Sequence, residues 1–172
     1  MAVKSRSSIP VSSSDSAFPR KSGVDTLSAI TGGCRCGQVR YALSMEALPP
    51  SYACHCLDCQ TWTGVAFSQS CVLPGDTLRV TGEVAIYELE GTQGRVSRQR
   101  ICPTCHTRVY NTNSGHGFAV LRAGTLDRSN ELDCVAHMWT RRKQAWITIP
   151  PGVRTWPEAP AMGELAGALG LG

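Results

Sequence analysis

Long apolar runs are missing from this chain. No stretch of about 18 apolar residues occurs, so no membrane-spanning helix is expected. The first residues are rich in Ser and Pro and lack the continuous apolar segment of a secretory signal, so no export signal is expected either. Helical periodicity is nearly missing, and no internal repeat is present beyond short cysteine knuckles. An excess of one charge is also missing. Against 17 Lys and Arg stand 13 Asp and Glu, a net of +4. Half of that excess sits in the first 25 residues, where Lys4, Arg6, Arg20 and Lys21 outnumber Asp15 and Asp25. The body is only slightly basic, which excludes the clustered Lys/Arg face of a nucleic-acid binder.

What the chain does have is cysteine, nine in 172 residues. Seven lie in three knots: Cys34 and Cys36, then Cys54, Cys56 and Cys59, then Cys102 and Cys105. A disulfide framework is opposed by the odd number, by the tight C-x-C and C-x-x-C spacings, and by the missing signal. In a reducing cytoplasm, the expected location, this pattern points to metal binding or catalysis.

Residues 1–27 hold Ser5, Ser7, Ser8, Ser12, Ser13, Ser14 and Ser16 with Pro10 and Pro19 and have little to bury, so a flexible tail is expected. One domain follows over 28–160, with 161–172 as a C-terminal tail. Gly33 and Gly37 flank the first C-x-C and let the backbone turn so that its amides approach the thiolates. Val39, Tyr41 and Leu43 alternate as a half-buried strand. Gln60 to Gly64 reads as a polar turn, and Ala66 to Leu73 as a strand. Leu78–Thr81, Val84–Leu89 and Val96–Ile101 are short strands, the last two joined by a hairpin-like loop at Gly91 to Gly94. Arg108 to Tyr110 is extended, Asn111 to Gly117 a polar loop, and Phe118–Gly124 and Val135–Thr140 further strands. Met162 to Leu171 has helical character weakened by three glycines. Many short strands between turn signals predict a mostly-β domain.

Ligand counting divides the seven cysteines. A closed tetrahedral site takes four ligands, while a catalytic one keeps a position open. The first and third knots supply two cysteines each, so Cys34, Cys36, Cys102 and Cys105 form a structural zinc site that closes a long loop. Cys54, Cys56 and Cys59 are left for a second zinc with a free position, which makes them the catalytic candidates and the cofactor two Zn²⁺ per chain. The alternative is a second site closed by His55, His116, Cys71 or His137. His55, flanked by two ligands, is expected to point elsewhere. Iron in the four-cysteine site is a further alternative. Cys71 and Cys134 read as small buried apolar residues. His137 reads as a packed histidine or as a support for the site, and Arg141, Arg142 and Lys143 as a solvated edge or as ligands for the carboxylates of a small anionic substrate.

On Gly33-Cys34-Arg35-Cys36-Gly37-Gln38-Val39-Arg40-Tyr41, Cys54-His55-Cys56-Leu57-Asp58-Cys59, Cys102-Pro103-Thr104-Cys105, Ala123-Gly124-Thr125-Leu126-Asp127, His137 to Trp146 and Pro150-Pro151-Gly152, the chain resembles the glutathione-dependent formaldehyde-activating enzymes, a family that includes centromere protein V. The resemblance covers roughly residues 30 to 157. It implies a β-tent fold of antiparallel sheets joined by a structural zinc, the same four-plus-three division with a more labile zinc on the central cysteines, and carbon–sulfur lyase activity. In that activity glutathione adds to formaldehyde to give S-hydroxymethylglutathione, its sulfur held as thiolate near the central zinc. Two positions depart from the family pattern: Cys105-His106-Thr107, where Cys-Gly-Ser or Cys-Gly-Thr is common, and Gln60, where a basic residue is common.

The expected function is therefore a zinc-dependent carbon–sulfur lyase joining a thiol such as glutathione to a small aldehyde or another electrophile, with no nucleic-acid or membrane partner. The alternatives are a zinc Lewis-acid enzyme on a non-thiol small molecule and a non-catalytic zinc module. The last would favour a long basic extension, which this chain's weakly charged tail does not provide.

Overall fold

A computed structural model describes residues 29–90, 96–115 and 117–171. The expected N-terminal tail, the loop at Gly91 to Gly94 and His116 lie outside the described residues.

Eleven strands form two sheets. In the smaller, β1 (Ile30–Gly33) pairs antiparallel with β2 (Arg40–Leu43), and β2 with β5 (Leu78–Thr81). The larger contains β3 (Ser51–Cys54), β4 (Ser68–Pro74), β6 (Ala85–Glu90), β7 (Val96–Ile101), β8 (Arg108–Asn113), β9 (Phe118–Arg122), β10 (Cys134–Met138) and β11 (Arg154–Thr155). Their spatial order is β11-β10-β3-β4-β9-β8-β7-β6. Pairing is antiparallel from β3 to β6, as expected, whereas β10 runs parallel to both β3 and β11. The domain is mostly β, as the turn spacing predicts.

Side-chain alternation along β4 and β9 divides the interior into two cores. Cys71 and Leu73 with Leu121 face one way and meet Ile30, Val39, Tyr41 and Leu43 of the small sheet's side. Val72 and Val120 face the other way and meet Tyr52, Ala136 and Met138. A strand buried on both faces is apolar in sequence, and Cys71-Val72-Leu73 is.

One helix departs from the sequence reading, and a second bears out the weak helical character read at Met162 to Leu171. The stretch expected as a polar turn is α1 (Leu57–Thr63). None of its residues is buried, so no apolar stripe announces it. It is fixed by its ends: the Cys59 N–H points at the Cys56 sulfur at 3.4 Å, and Gly64, at φ 70°, donates back to the Gln60 carbonyl at 2.9 Å. The second is α2 (Met162–Ala168), within the stretch expected to be a C-terminal tail. Glu164 caps its start through the Ala161 N–H at 3.0 Å. Gly163 and Gly167 weaken it by about 1 kcal/mol each, and burial of Leu165 and Leu169 against the second core offsets this with about 2 kcal/mol each. The expected loop from Asn111 begins three residues later, since Asn111 to Asn113 are the second half of β8. Among the described residues no helix is long and apolar enough to cross a membrane.

Candidate metal centres

The first and third knots meet. The four sulfurs of Cys34, Cys36, Cys102 and Cys105 all lie within 4.8 Å of one another, a group that could hold a metal ion. Cys34 and Cys36 sulfurs are 3.5 Å apart, and Cys36 and Cys102 sulfurs 3.7 Å. Four thiolates about 2.3 Å from a central ion would stand about 3.8 Å apart, so the spacing fits tetrahedral thiolate coordination. A disulfide needs about 2.05 Å, and all nine cysteines are free.

Backbone and hydroxyl groups close a turn around each knuckle. Cys34 N–H donates to the Val39 carbonyl at 2.9 Å, while the Val39 N–H approaches the Cys34 sulfur at 3.2 Å. The two glycines serve as expected: Gly37 sits at φ 80°, and a Cβ on Gly33 would stand 2.4 Å from the Val39 carbonyl oxygen. In the third knot the same turn is made by His106 at φ 58°. Histidine is among the non-glycine residues enriched in that region, so this family departure keeps the knuckle's shape. Thr107 completes it, its hydroxyl 3.2 Å from both the Cys105 sulfur and the Arg35 N–H. Burial pulls the Cys105 thiol up, but the bonds from Thr107 and the Cys36 side outweigh it and hold it down at about 5.

The central cysteines form the second group. The sulfurs of Cys54, Cys56 and Cys59 lie within 4.8 Å of one another and could also hold a metal ion. β3 delivers Cys54 and the first turn of α1 delivers the other two. Hydrogen bonds from Cys54 and Cys59, with the Cys59 and Asp58 N–H groups, hold the Cys56 thiol down at about 2. Those same bonds and burial push Cys54 far up. Three thiols thus share one negative charge, and further ionisation calls for a cation among them.

Among the described residues this group has three members, not four. His55 is fully buried, and its Nε2 lies 2.8 Å from His137 Nδ1, away from the triad as expected. His137 is spent on that bond and sits 3.7 Å from the Cys134 sulfur. Cys71 is buried in the first core, across the sheet. Cys134 is only partly buried and touches His137, so it is more than an apolar filler. Gln60, the second family departure, is a clamp: its Nε2 donates to the His55 carbonyl at 2.7 Å and to the Arg142 carbonyl at 3.0 Å.

Of the two readings of Arg141 to Lys143, the solvated edge fits: Arg141 and Arg142 are exposed. Arg141 pairs with Glu158 and stacks on Trp139, and Lys143 donates to the Ile147 carbonyl at 2.7 Å. The cations near the triad are Arg122 and Arg108, which no local motif marked. Arg122 extends from β9 on the Val72 face. Its two terminal nitrogens donate to Ser70 at 2.8 Å, Ser68 at 3.3 Å, Gln99 at 3.5 Å and Asn111. None of these is a carboxylate, and its charge is felt by the Cys59 and Cys54 sulfurs. Arg108 lies 4.7 Å over the Trp62 ring of α1. Burial, with the neighbouring Arg122 charge, pulls its pKa to about 10, so it remains a cation at neutral pH. Burial likewise keeps the nearby Tyr52 phenol protonated. An open cleft of about 740 Å³ is lined by Gln60 and Thr61 of α1, by Gly64 to Phe67 and by Gln144 and Trp146, and no titratable side chain lines it.

The sequence profile of the glutathione-dependent formaldehyde-activating enzymes matches residues 29–142. None of the curated proteins matches the chain. A crystal structure of a Rhodobacter sphaeroides protein, a structural-genomics target, superposes with a TM-score of 0.47 at 17% identity, over 61% of this chain and 98% of that one.

Proposed function

The chain belongs to the family of glutathione-dependent formaldehyde-activating enzymes, and from that footing we propose that it is a zinc-dependent carbon–sulfur lyase acting on a thiol such as glutathione and a small aldehyde. The observation that carries this reading is the three-member sulfur group at Cys54, Cys56 and Cys59 beside two guanidiniums. Cys34, Cys36, Cys102 and Cys105 would hold the structural zinc, and the triad a second one, giving two per chain. Bound at the triad, zinc would supply an exchangeable position that favours a substrate thiol in its thiolate form.

The chain's own residues do the rest. The triad fixes where negative sulfur is tolerated. Arg122, held by four neutral acceptors, adds positive potential without moving, which favours an anionic sulfur over a neutral thiol. The substrate sulfur then bonds to the carbonyl carbon, the carbonyl π pair moves to oxygen, and that oxygen takes a proton from water. The product is a hydroxymethyl thioether, and the reverse sequence releases aldehyde and thiol. Nine free thiols suit a reducing compartment, for which we propose the cytoplasm.

The test is direct. Zinc-loaded protein is mixed with glutathione and ¹³C-formaldehyde, then with a short series of other aldehydes, and exchange between free and thiol-bound carbon is followed by NMR. Faster exchange than in buffer, lost in Cys56→Ser, is expected. No acceleration with any aldehyde refutes the proposal, and aldehyde turnover that ignores the thiol replaces it with a thiol-independent reaction.

A further inference from the structure

Most arginines withdrawn from water in this fold have an acceptor. Arg40 pairs with Asp127, and Arg100 donates to the Arg98 carbonyl at 3.2 Å. Arg122 spends both terminal nitrogens on Ser68, Ser70, Gln99 and Asn111. Arg108 is different. It is half-buried, and among the described residues its guanidinium makes neither a hydrogen bond nor an ion pair. Its one contact of note is the stack on Trp62. Holding a guanidinium partly out of water beside a second cation, with five N–H groups unused, is unfavourable unless something else supplies the acceptor.

The strand is bent to achieve this. β7 and β8 pair Arg100 with Tyr110 but Ile101 with Arg108, so Val109 is an extra residue in β8. A bulge re-aims side chains. Val109 turns into the first core, where it is fully buried, and Arg108 lies over Trp62 on the other side, near enough to feel the Arg122 charge and the Cys59 sulfur. The indole face fixes the guanidinium plane, leaving its planar fork of donors for a planar acceptor.

We propose that Arg108, braced on Trp62 and backed by Arg122, is a substrate-binding residue that takes a carboxylate of the substrate beside the Cys54–Cys56–Cys59 triad. This rests on the reading of the triad as the place where the substrate's sulfur sits. A thiol that also bears a carboxylate would then be held at two points, sulfur at the triad and carboxylate at Arg108. A carboxylate suits the fork because it accepts two parallel N–H bonds in one plane. Arg108 thus selects among thiols, while the triad provides the chemistry.

The experiment uses the zinc-loaded full chain and four probes at constant ionic strength, followed by calorimetry and tryptophan emission: glutathione, S-methylglutathione with carboxylates but no thiol, glutathione diethyl ester with thiol but no free carboxylate, and inorganic sulfate. In Arg108→Gln, S-methylglutathione is expected to bind roughly tenfold to a hundredfold more weakly than in the wild type, as for loss of a charge-assisted bond. Arg108→Lys recovers part of the loss, and the diester binds both proteins alike. Melting curves of Arg108→Gln should stay close to the wild type, since the only intramolecular contact removed is the stack on Trp62, worth about 0.5–1 kcal/mol. Equal S-methylglutathione binding by wild type and Arg108→Gln overturns the proposal, as does no binding to the wild type. Sulfate bound as tightly as S-methylglutathione, with the same Arg108 dependence, overturns the carboxylate assignment. If S-methylglutathione depends on Arg108 while glutathione gains nothing from its thiol, the anion subsite stands and the thiol chemistry falls.

Discussion

Replacing one cysteine in each group should have opposite consequences. Cys102 is fully buried in the first core, and its sulfur lies 3.7 Å from that of Cys36, 66 residues away. Joining these positions through a metal removes about 4 kcal/mol of loop entropy from the unfolded chain. Structural zinc in thiolate sites contributes about 10–16 kcal/mol in total, against a whole-domain stability of about 5–15 kcal/mol. Cys102→Ser should therefore leave no folded population. Cys56 is only partly buried and caps α1, and serine is a preferred cap. Cys56→Ser should change folding stability by about 1 kcal/mol or less, and Tm by about 2–4 °C for a domain of this size.

Zinc content by atomic emission and far-ultraviolet circular dichroism melts, on the same preparations, measure both effects. The wild type should carry two zinc per chain and Cys56→Ser one, with a cooperative melt. Cys102→Ser should show no melt at any temperature. If Cys56→Ser unfolds as Cys102→Ser does, the triad is structural and the division of labour is wrong. A cooperative melt of Cys102→Ser within 5 °C of the wild type would remove the four-sulfur group as the fastening of the two sheets.

Three further outcomes follow from packing and burial. A Cβ on Gly32 would stand 2.2 Å from the Tyr41 hydroxyl and 2.4 Å from the Thr125 carbonyl oxygen, so Gly32→Ala should destabilise by roughly 3 kcal/mol in urea titrations; a loss below about 1 kcal/mol refutes the close approach. Leu165→Ala should cost about 2–4 kcal/mol in the same assay because Leu165 is 7% exposed against the second core, whereas a true tail would show no change. Burial, then the neighbouring His55 and Lys143 charges, lowers the His137 pKa below its ordinary 6.5; the unfolded chain then takes up the proton first, so His137 withdraws stability only as pH falls below about 6.5 and contributes none above it. A ring-proton NMR titration with its midpoint at or above 6.5 would contradict this.

The knots were legible because C-x-C and C-x-x-C are local chemistry, and so were the strands with alternating apolar residues, such as Val39, Tyr41 and Leu43. The first helix was not, and the second only as a weak tendency. α1 buries none of its residues and is specified by its two ends, Cys56 and Gly64, so the pattern of apolar residues is silent. α2 is decided by what lies opposite Leu165 and Leu169, residues distant in sequence. The parallel addition of β10 to β3 is a long-range event that alternation cannot announce. Charge was legible in part, since Arg141 and Arg142 are the exposed edge that their run suggests. Arg141, Arg142 and Lys143 stand out as a run, but Arg141 is answered by Glu158. Arg108 stands out in nothing until the register shift in β8 turns it towards Trp62.

That register shift also joins the two centres. Thr107 is bound to the four-cysteine knot at three atoms: its carbonyl accepts from Cys102 N–H at 2.9 Å, and its hydroxyl meets the Cys105 sulfur and the Arg35 N–H. Arg108 is the next residue, and the bulge follows at once. A knot held shut therefore fixes the start of β8, and with it the guanidinium that faces the triad. The four sulfurs do more than fasten two sheets. They set the position of a charge on the far side of one of them, so loosening the knot should be felt at Arg108 and Trp62 before the fold itself is lost. Tryptophan emission from Trp62, recorded while chelator is added stepwise, should shift ahead of the loss of circular dichroism; simultaneous change would mean that Arg108 is placed by the sheet as a whole and not by its neighbouring knot.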